Sequence, residues 1–163
     1  MNGFLLDSGV VSRAMQPKGS GSLRDWLQGR DENQIFLSVV TLGEFRAAIE
    51  RAAPDRARFE RYAAALERLR SRFQDRVLSI DAAVAERSGE ILGRGTLFGA
   101  PALTMAQGCM AATALVHNLT LVTLQPGIFE ATTVRTADPL PNKAAHAADA
   151  AQVELGVTSR NGR

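Results

Sequence analysis

Short apolar blocks separated by longer amphipathic stretches set the outline of this chain. Phe4-Leu5-Leu6 is an apolar run that ends abruptly at Asp7, the pattern of a buried first strand. Residues Pro17 to Ser22 form a Pro/Gly/Ser loop, and Ser22 or Ser20 is placed to cap a short helix through Trp26 and Leu27. Ile35 to Val40 is rich in β-formers and predicts a second strand. After it, Leu42, Phe45, Ala48, Ile49 and Ala52 recur at helical spacing from Thr41 onward. Pro54 suits the first turn of the next helix, which runs to about Phe73 with Phe59, Tyr62, Ala63, Leu66 and Leu69 on one side and arginines opposite.

The second half repeats the alternation. Val77 to Ile80 predicts a third strand, and Asp81 an N-cap for a helix through Ile91. A helix is expected from about Leu103 to His117 with Asn118 as its stop, then a fourth strand over Leu119 to Thr123 and a fifth over Thr133 to Thr136. Strands alternating with helices predict an α/β fold, a mostly parallel central sheet covered on both faces. Periodicity fades after Pro139, so the expected division is a domain over residues 1–138 and a flexible tail over 139–163.

Composition narrows the function classes. At 163 residues the chain is long enough for one domain with a full core. From Gly95 to Phe129 there is no Asp, Glu, Lys or Arg, yet Pro101, Gln107, His117 and Asn118 interrupt the run. A spanning helix needs about 20 strongly apolar residues, so a buried helix and strand are expected there and no membrane role. The formal charge is only +2, but 17 of the 19 basic residues are arginine. Arginine forks match phosphates, which makes nucleic acid a candidate partner, although genome composition produces the same bias. The single Cys109 excludes an internal disulfide and, with no basic-then-apolar leader, points to the cytoplasm. One Cys and two separated His residues make no zinc pattern. His117 reads as a helix-end residue and Cys109 as core.

Two carboxylates stand out. Asp7 directly follows a buried run, where an unpaired charge is costly, and it also begins an Asp-Ser-Gly turn. Glu44 follows Thr41 by three residues, which is equally the signature of a capping box. Both fall at expected strand ends, where open α/β sheets gather ligands.

These residues sit in a longer set of matches. Leu-Leu-Asp-Ser-Gly-Val-Val-Ser at 5–12 resembles the opening of PIN-domain toxins of the VapC kind, usually Leu-Leu-Asp-Thr-Asn-Val-Val-Ser. Leu37 to Glu44, Arg76 to Asp81, Ala111 to Leu115 and Leu119 to Thr123 resemble that family's later strands and helices, in order and with family-like spacing. The resemblance covers roughly residues 3 to 138. It implies a three-layer α/β/α sandwich, RNA as substrate, homodimers, and a small antitoxin as partner. It further implies hydrolysis at an acidic cluster holding Mg²⁺ or Mn²⁺, with Asp7 and Glu44 as metal-binding catalytic carboxylates.

The remaining site positions depart from the family pattern. The acid expected on the late helix falls at Gln107, the polar pair after the fourth strand is replaced by Leu124-Gln125, and the Asn after Asp-Thr is Gly9. Arg13 stands where a Glu is common, and no acidic residue occurs between Glu90 and Glu130. Gln107 can offer a metal a neutral carbonyl oxygen but no charge. Two unit charges about 4 Å apart interact by roughly 4 kcal/mol at an effective dielectric near 20, so a missing carboxylate weakens metal binding by a few kcal/mol even after relief of repulsion. The expectation is a ribonuclease-family protein with impaired activity, the alternative being a non-catalytic PIN-like module that binds RNA or protein. An aspartyl-phosphate phosphatase is disfavoured because residue 9 is Gly where that chemistry wants a second Asp.

Overall fold

The computed structural model describes residues 3–15, 21–97 and 102–140. Five strands, β1 (Phe4–Leu6), β2 (Ile35–Ser38), β3 (Val77–Leu78), β4 (Thr120–Val122) and β5 (Thr136–Ala137), form one sheet in the order β3-β2-β1-β4-β5. Every pairing is parallel. Among the described residues six α-helices connect them: α1 (Ser8–Ala14), α2 (Gly21–Gln28), α3 (Val39–Arg51), α4 (Arg56–Phe73), α5 (Ala82–Leu97) and α6 (Met105–Val116). None of the described helices is long and apolar enough to cross a membrane.

The two-residue period of the strands divides the core. Leu6, Ile35, Leu37 and Val122 join Val10, Phe45, Ile49, Leu66, Leu69 and Phe73 in one buried cluster, so α1, α3 and α4 cover that face. Leu5 and Leu121 point the other way and join Met110, Ala111 and Ala114 of α6, with Ile91 of α5 against them. Alternate residues of a strand face opposite sides, and this gives the three layers. The α5–α6 contact is close because α6 buries small residues. A side chain on Gly108 would meet Leu92 and Ser88 at 3.0 Å, and buried Cys109 lies 3.6 Å from Ser88 Oγ.

Several element boundaries differ from the sequence expectation. β2 stops at Ser38, whose side chain accepts from Val40 N–H and caps α3, so the helix begins before Thr41. Pro54 lies outside α4, which starts at Arg56 under an Asp55 cap accepting from Arg58 N–H. Ser22 lies inside α2 rather than capping it, and Ser20 is outside the described residues. β3 is only two residues long, and β5 lies at Thr136–Ala137. Asp81 does cap α5, accepting from Val84 N–H at 2.9 Å, and the helix continues to Leu97. Asn118 ends α6 with a left-handed φ of 53°. Pro139 and Leu140 are buried, two residues past the expected boundary at 138, and residues 141–163 lie outside the described ones.

One ion-pair group lies away from the carboxyl ends of the strands. Two of the α4 arginines form ion pairs along their own exposed face, Arg56–Glu60 and Arg70–Glu67. Arg72 and Arg76 instead reach Glu32, at 2.9 and 3.1 Å. Arg76 also donates to the backbone carbonyls of Glu32, Ile35 (3.1 Å) and Arg72 (2.8 Å), tying the entry of β2 to the end of α4. The hydrogen bond from Arg72, then that from Arg76, holds the Glu32 carboxyl down to about 2. A depressed folded-state pKa adds stability above the unfolded value near 4.3, and that stability is lost as pH falls towards about 2. The Glu32→Gln variant is therefore expected to melt below wild type at pH 6, with the gap closing as pH is lowered from about 5 to about 2 and shrinking in high salt. Thermal unfolding across that pH range checks it.

Candidate active-site cleft

In the strand order β3-β2-β1-β4-β5 the chain builds outward from β1 to β3 and then crosses to the other side of β1. The connections from β1 and β4 thus depart in opposite directions, and a crevice opens at their carboxyl ends. Asp7 occupies that point. Its N–H donates to Val122 O at 3.0 Å, continuing the β1–β4 ladder by one bond. Its carboxylate accepts from Thr123 Oγ1 at 2.8 Å, Ser8 Oγ at 3.3 Å and Gly9 N–H at 3.4 Å, the last capping α1. Asp7 thus makes the expected turn and also lines the cleft. Thr123 is fully buried, and its Oγ1 also accepts from Gln125 N–H at 3.1 Å. One hydroxyl therefore shapes the turn after β4 and orients the carboxylate at the end of β1.

Glu44 arrives from α3. The capping-box expectation for Thr41 and Glu44 is corrected: Ser38 is the cap, and Thr41 is fully buried with its hydroxyl donating to Leu6 O at 3.4 Å. That bond fastens the first turn of α3 to the end of β1. Glu44, one turn further on, stays exposed and lines the same cleft as Asp7.

A capping box does exist, at the start of α6. Thr104 Oγ1 accepts from Gln107 N–H at 3.2 Å, and Gln107 Oε1 accepts from Thr104 N–H at 2.8 Å. The Thr-x-x-Gln signature was present in the sequence at 104–107. The carbonyl that Gln107 was expected to offer to a metal is thus already engaged at the helix end.

The cleft, about 260 Å³ in volume, brings Asp7, Gly9, Glu44, Gln107 and Gln125 together, with Met110, Leu124, Ile128 and Phe129 as apolar walls. All five positions singled out in the sequence converge. Neither Arg13 nor Glu130 lines it. The donor set, however, is two carboxylates and two amides, and among the described residues no group of three or more His, Cys, Asp or Glu is placed to hold a metal. A hard divalent ion takes about six oxygen ligands, with charged carboxylates providing most of the attraction. With Asp7 hydrogen-bonded three times and Gln107 Oε1 occupied, the residues present do not fit a tight Mg²⁺ or Mn²⁺ site.

The residue missed in the sequence is Thr123. Its signal was local, a hydroxyl two residues ahead of the N–H it accepts from, but its partner Asp7 is 116 positions away. Thr123→Val is expected to lower unfolding stability by about 1–2 kcal/mol, and Thr123→Ser by less, as measured by urea denaturation.

Comparison with known proteins agrees with this architecture. The PIN domain family model matches residues 4–132. The chain is 30% identical over 137 residues to the plasmid stability protein StbB of Pseudomonas syringae pv. tomato, covering 83% of this chain and 97% of that protein. It is 27% identical over 136 residues to the toxin FitB of Neisseria gonorrhoeae, again over 83% and 97% of the two. Among solved structures, FitAcB from Neisseria gonorrhoeae superposes with a TM-score of 0.74 at 27% identity, over 85% of this chain and 99% of that one. DNA-bound VapBC from Salmonella typhimurium gives 0.70 at 25% identity, over 85% and 99%. With the sheet order, the cleft position and the family model in agreement over most of its length, the chain belongs to the PIN-domain family.

Proposed function

We propose that this protein is the toxin-side member of a toxin–antitoxin pair, of ribonuclease ancestry, whose hydrolysis of RNA phosphodiester bonds is impaired. The observation that carries this reading is the composition of the cleft: Asp7 and Glu44 are retained at the sheet's switch point, while Gln107 and Gln125 stand beside them. The relatives support the toxin assignment, since one is named a toxin and the similar solved structures include FitAcB and VapBC. By the same likeness, a small antitoxin is the protein partner, the active form is a homodimer, and the protein works in the cytoplasm.

The chemistry argues for binding over cutting. Carboxylates without a bound cation repel a phosphate, whereas the NH₂ groups of Gln107 and Gln125 are neutral donors to phosphate oxygens. Asp7, held by Thr123, Ser8 and Gly9, is a fixed acceptor for a ribose hydroxyl or a water. Gln107→Asp returns charge to the cleft. The non-catalytic reading, a PIN-like module that binds RNA or protein, draws on the engagement of Gln107 in the capping box.

RNA cleavage in Mg²⁺ and Mn²⁺ tests the proposal, with Asp7→Asn and Gln107→Asp run alongside. Little cleavage by wild type and a gain of at least tenfold in Gln107→Asp is the expected result. Vigorous wild-type cleavage that vanishes in EDTA and in Asp7→Asn would show that two carboxylates suffice and would remove the impairment. Silence in all three would leave only the binding-module reading. Calorimetric titration with Mn²⁺ is an independent check: binding weaker than micromolar is expected, and micromolar binding abolished by Asp7→Asn would contradict the fit described above.

A further inference from the structure

A second groove, about 140 Å³ in volume, lies between α5 and the segment after Phe129, lined by Arg87, Glu90, Ile91, Arg94 and Thr132–Thr133. Arg87, Glu90, Ile91 and Arg94 fall at i, i+3, i+4 and i+7, so they share one stripe of the helix. Ile91 packs into the same apolar cluster as Met110 and Phe129, which are walls of the Asp7–Glu44 cleft. The two grooves thus border the same apolar cluster.

The charge of this groove differs from that of the cleft. Arg87 pairs with Glu90 at 2.6 Å, its side chain one-third exposed. Arg94 is exposed, and among the described residues it makes no hydrogen bond or ion pair. The two arginines are separated by seven residues, about 10 Å along the helix axis, so their long side chains can take two different phosphates of one strand. Guanidinium forks match phosphate oxygens, and such pairings position a strand without reading its bases. The Thr133 hydroxyl, on the exposed opposite wall, adds a neutral donor.

We propose that the Arg87–Arg94 groove is a phosphodiester-backbone subsite, holding the part of a single-stranded RNA that extends beyond the Asp7–Glu44 cleft. This rests on the reading that the cleft takes RNA. It assigns strand binding to α5 and leaves the cleft to hold the nucleotide at its centre. Glu90 limits the subsite's charge, so removing it strengthens binding.

Fluorescence anisotropy with a labelled 12-nucleotide single-stranded RNA, in EDTA to prevent cleavage and at several salt concentrations, tests it. The Arg87→Ala/Arg94→Ala double variant is expected to bind about tenfold or more weakly. Its slope of log Kd against log salt should fall by about 0.7 for each phosphate that the variant no longer neutralises. Glu90→Gln is expected to bind more tightly than wild type. A DNA strand of the same sequence separates the sources of the phosphate: an equal weakening for both assigns the site to backbone alone, and a larger weakening for RNA adds a ribose hydroxyl to what the site recognises. Circular dichroism of the double variant checks that it is folded. Equal affinity and equal salt slope for wild type and the double variant would overturn the proposal while leaving RNA binding at the cleft intact. No RNA binding by wild type would overturn both.

Discussion

The carboxyl edge of this sheet is organised by the bond between Thr123 Oγ1 and Asp7. It joins the ends of the two strands that flank the topological switch, and it acts where the backbone ladder has just closed with Asp7 N–H on Val122 O. A carboxylate after a buried strand is tolerated only when it is hydrogen-bonded, and three donors satisfy this one. Thr41 makes a parallel link from the other side, its hydroxyl on Leu6 O. Two buried threonines therefore position the two carboxylates, one by direct contact and one by docking the helix that carries it.

The same edge explains how a PIN scaffold can keep its form whichever side chain stands at position 107. Packing depends on the small buried residues of α6, on Gly108 against Leu92 and on the alternating strand side chains, none of which requires an acid at position 107. Gln107 satisfies a different local need by closing a capping box, a role that an Ala at this position would leave unmet. The substitution is thus neutral or favourable for the helix and unfavourable for a cation.

Away from the cleft, the Glu32–Arg72–Arg76 group shows why arginine content alone is a poor guide to partners. Of the arginines on α4, two form ion pairs with their own helix neighbours, while Arg76, just past the helix, is committed to backbone carbonyls at the entry of β2. Arg94, lacking such a partner among the described residues, lines the groove beside α5. Count and net charge do not separate these cases; position does.

The strand–helix alternation, the helix periods, the Asp81 cap and the Asn118 stop were legible in the sequence because each is set by contacts within a few residues. So were the five cleft positions, whose spacing follows a family pattern. Boundaries were less so, since Ser38 rather than Thr41 begins α3 and Asp55 rather than Pro54 introduces α4: two adjacent capping candidates compete, and tertiary docking selects between them. The sequence by itself therefore determined the order of elements and that no acid stands at position 107. Only the tertiary structure decided that Thr123 orients Asp7 across 116 positions, that Thr41 docks α3 on Leu6, and that Arg87 and Arg94 face a groove. These are non-local hydrogen bonds and surfaces, formed by parallel strands whose partners are distant in sequence, and no local pattern encodes them.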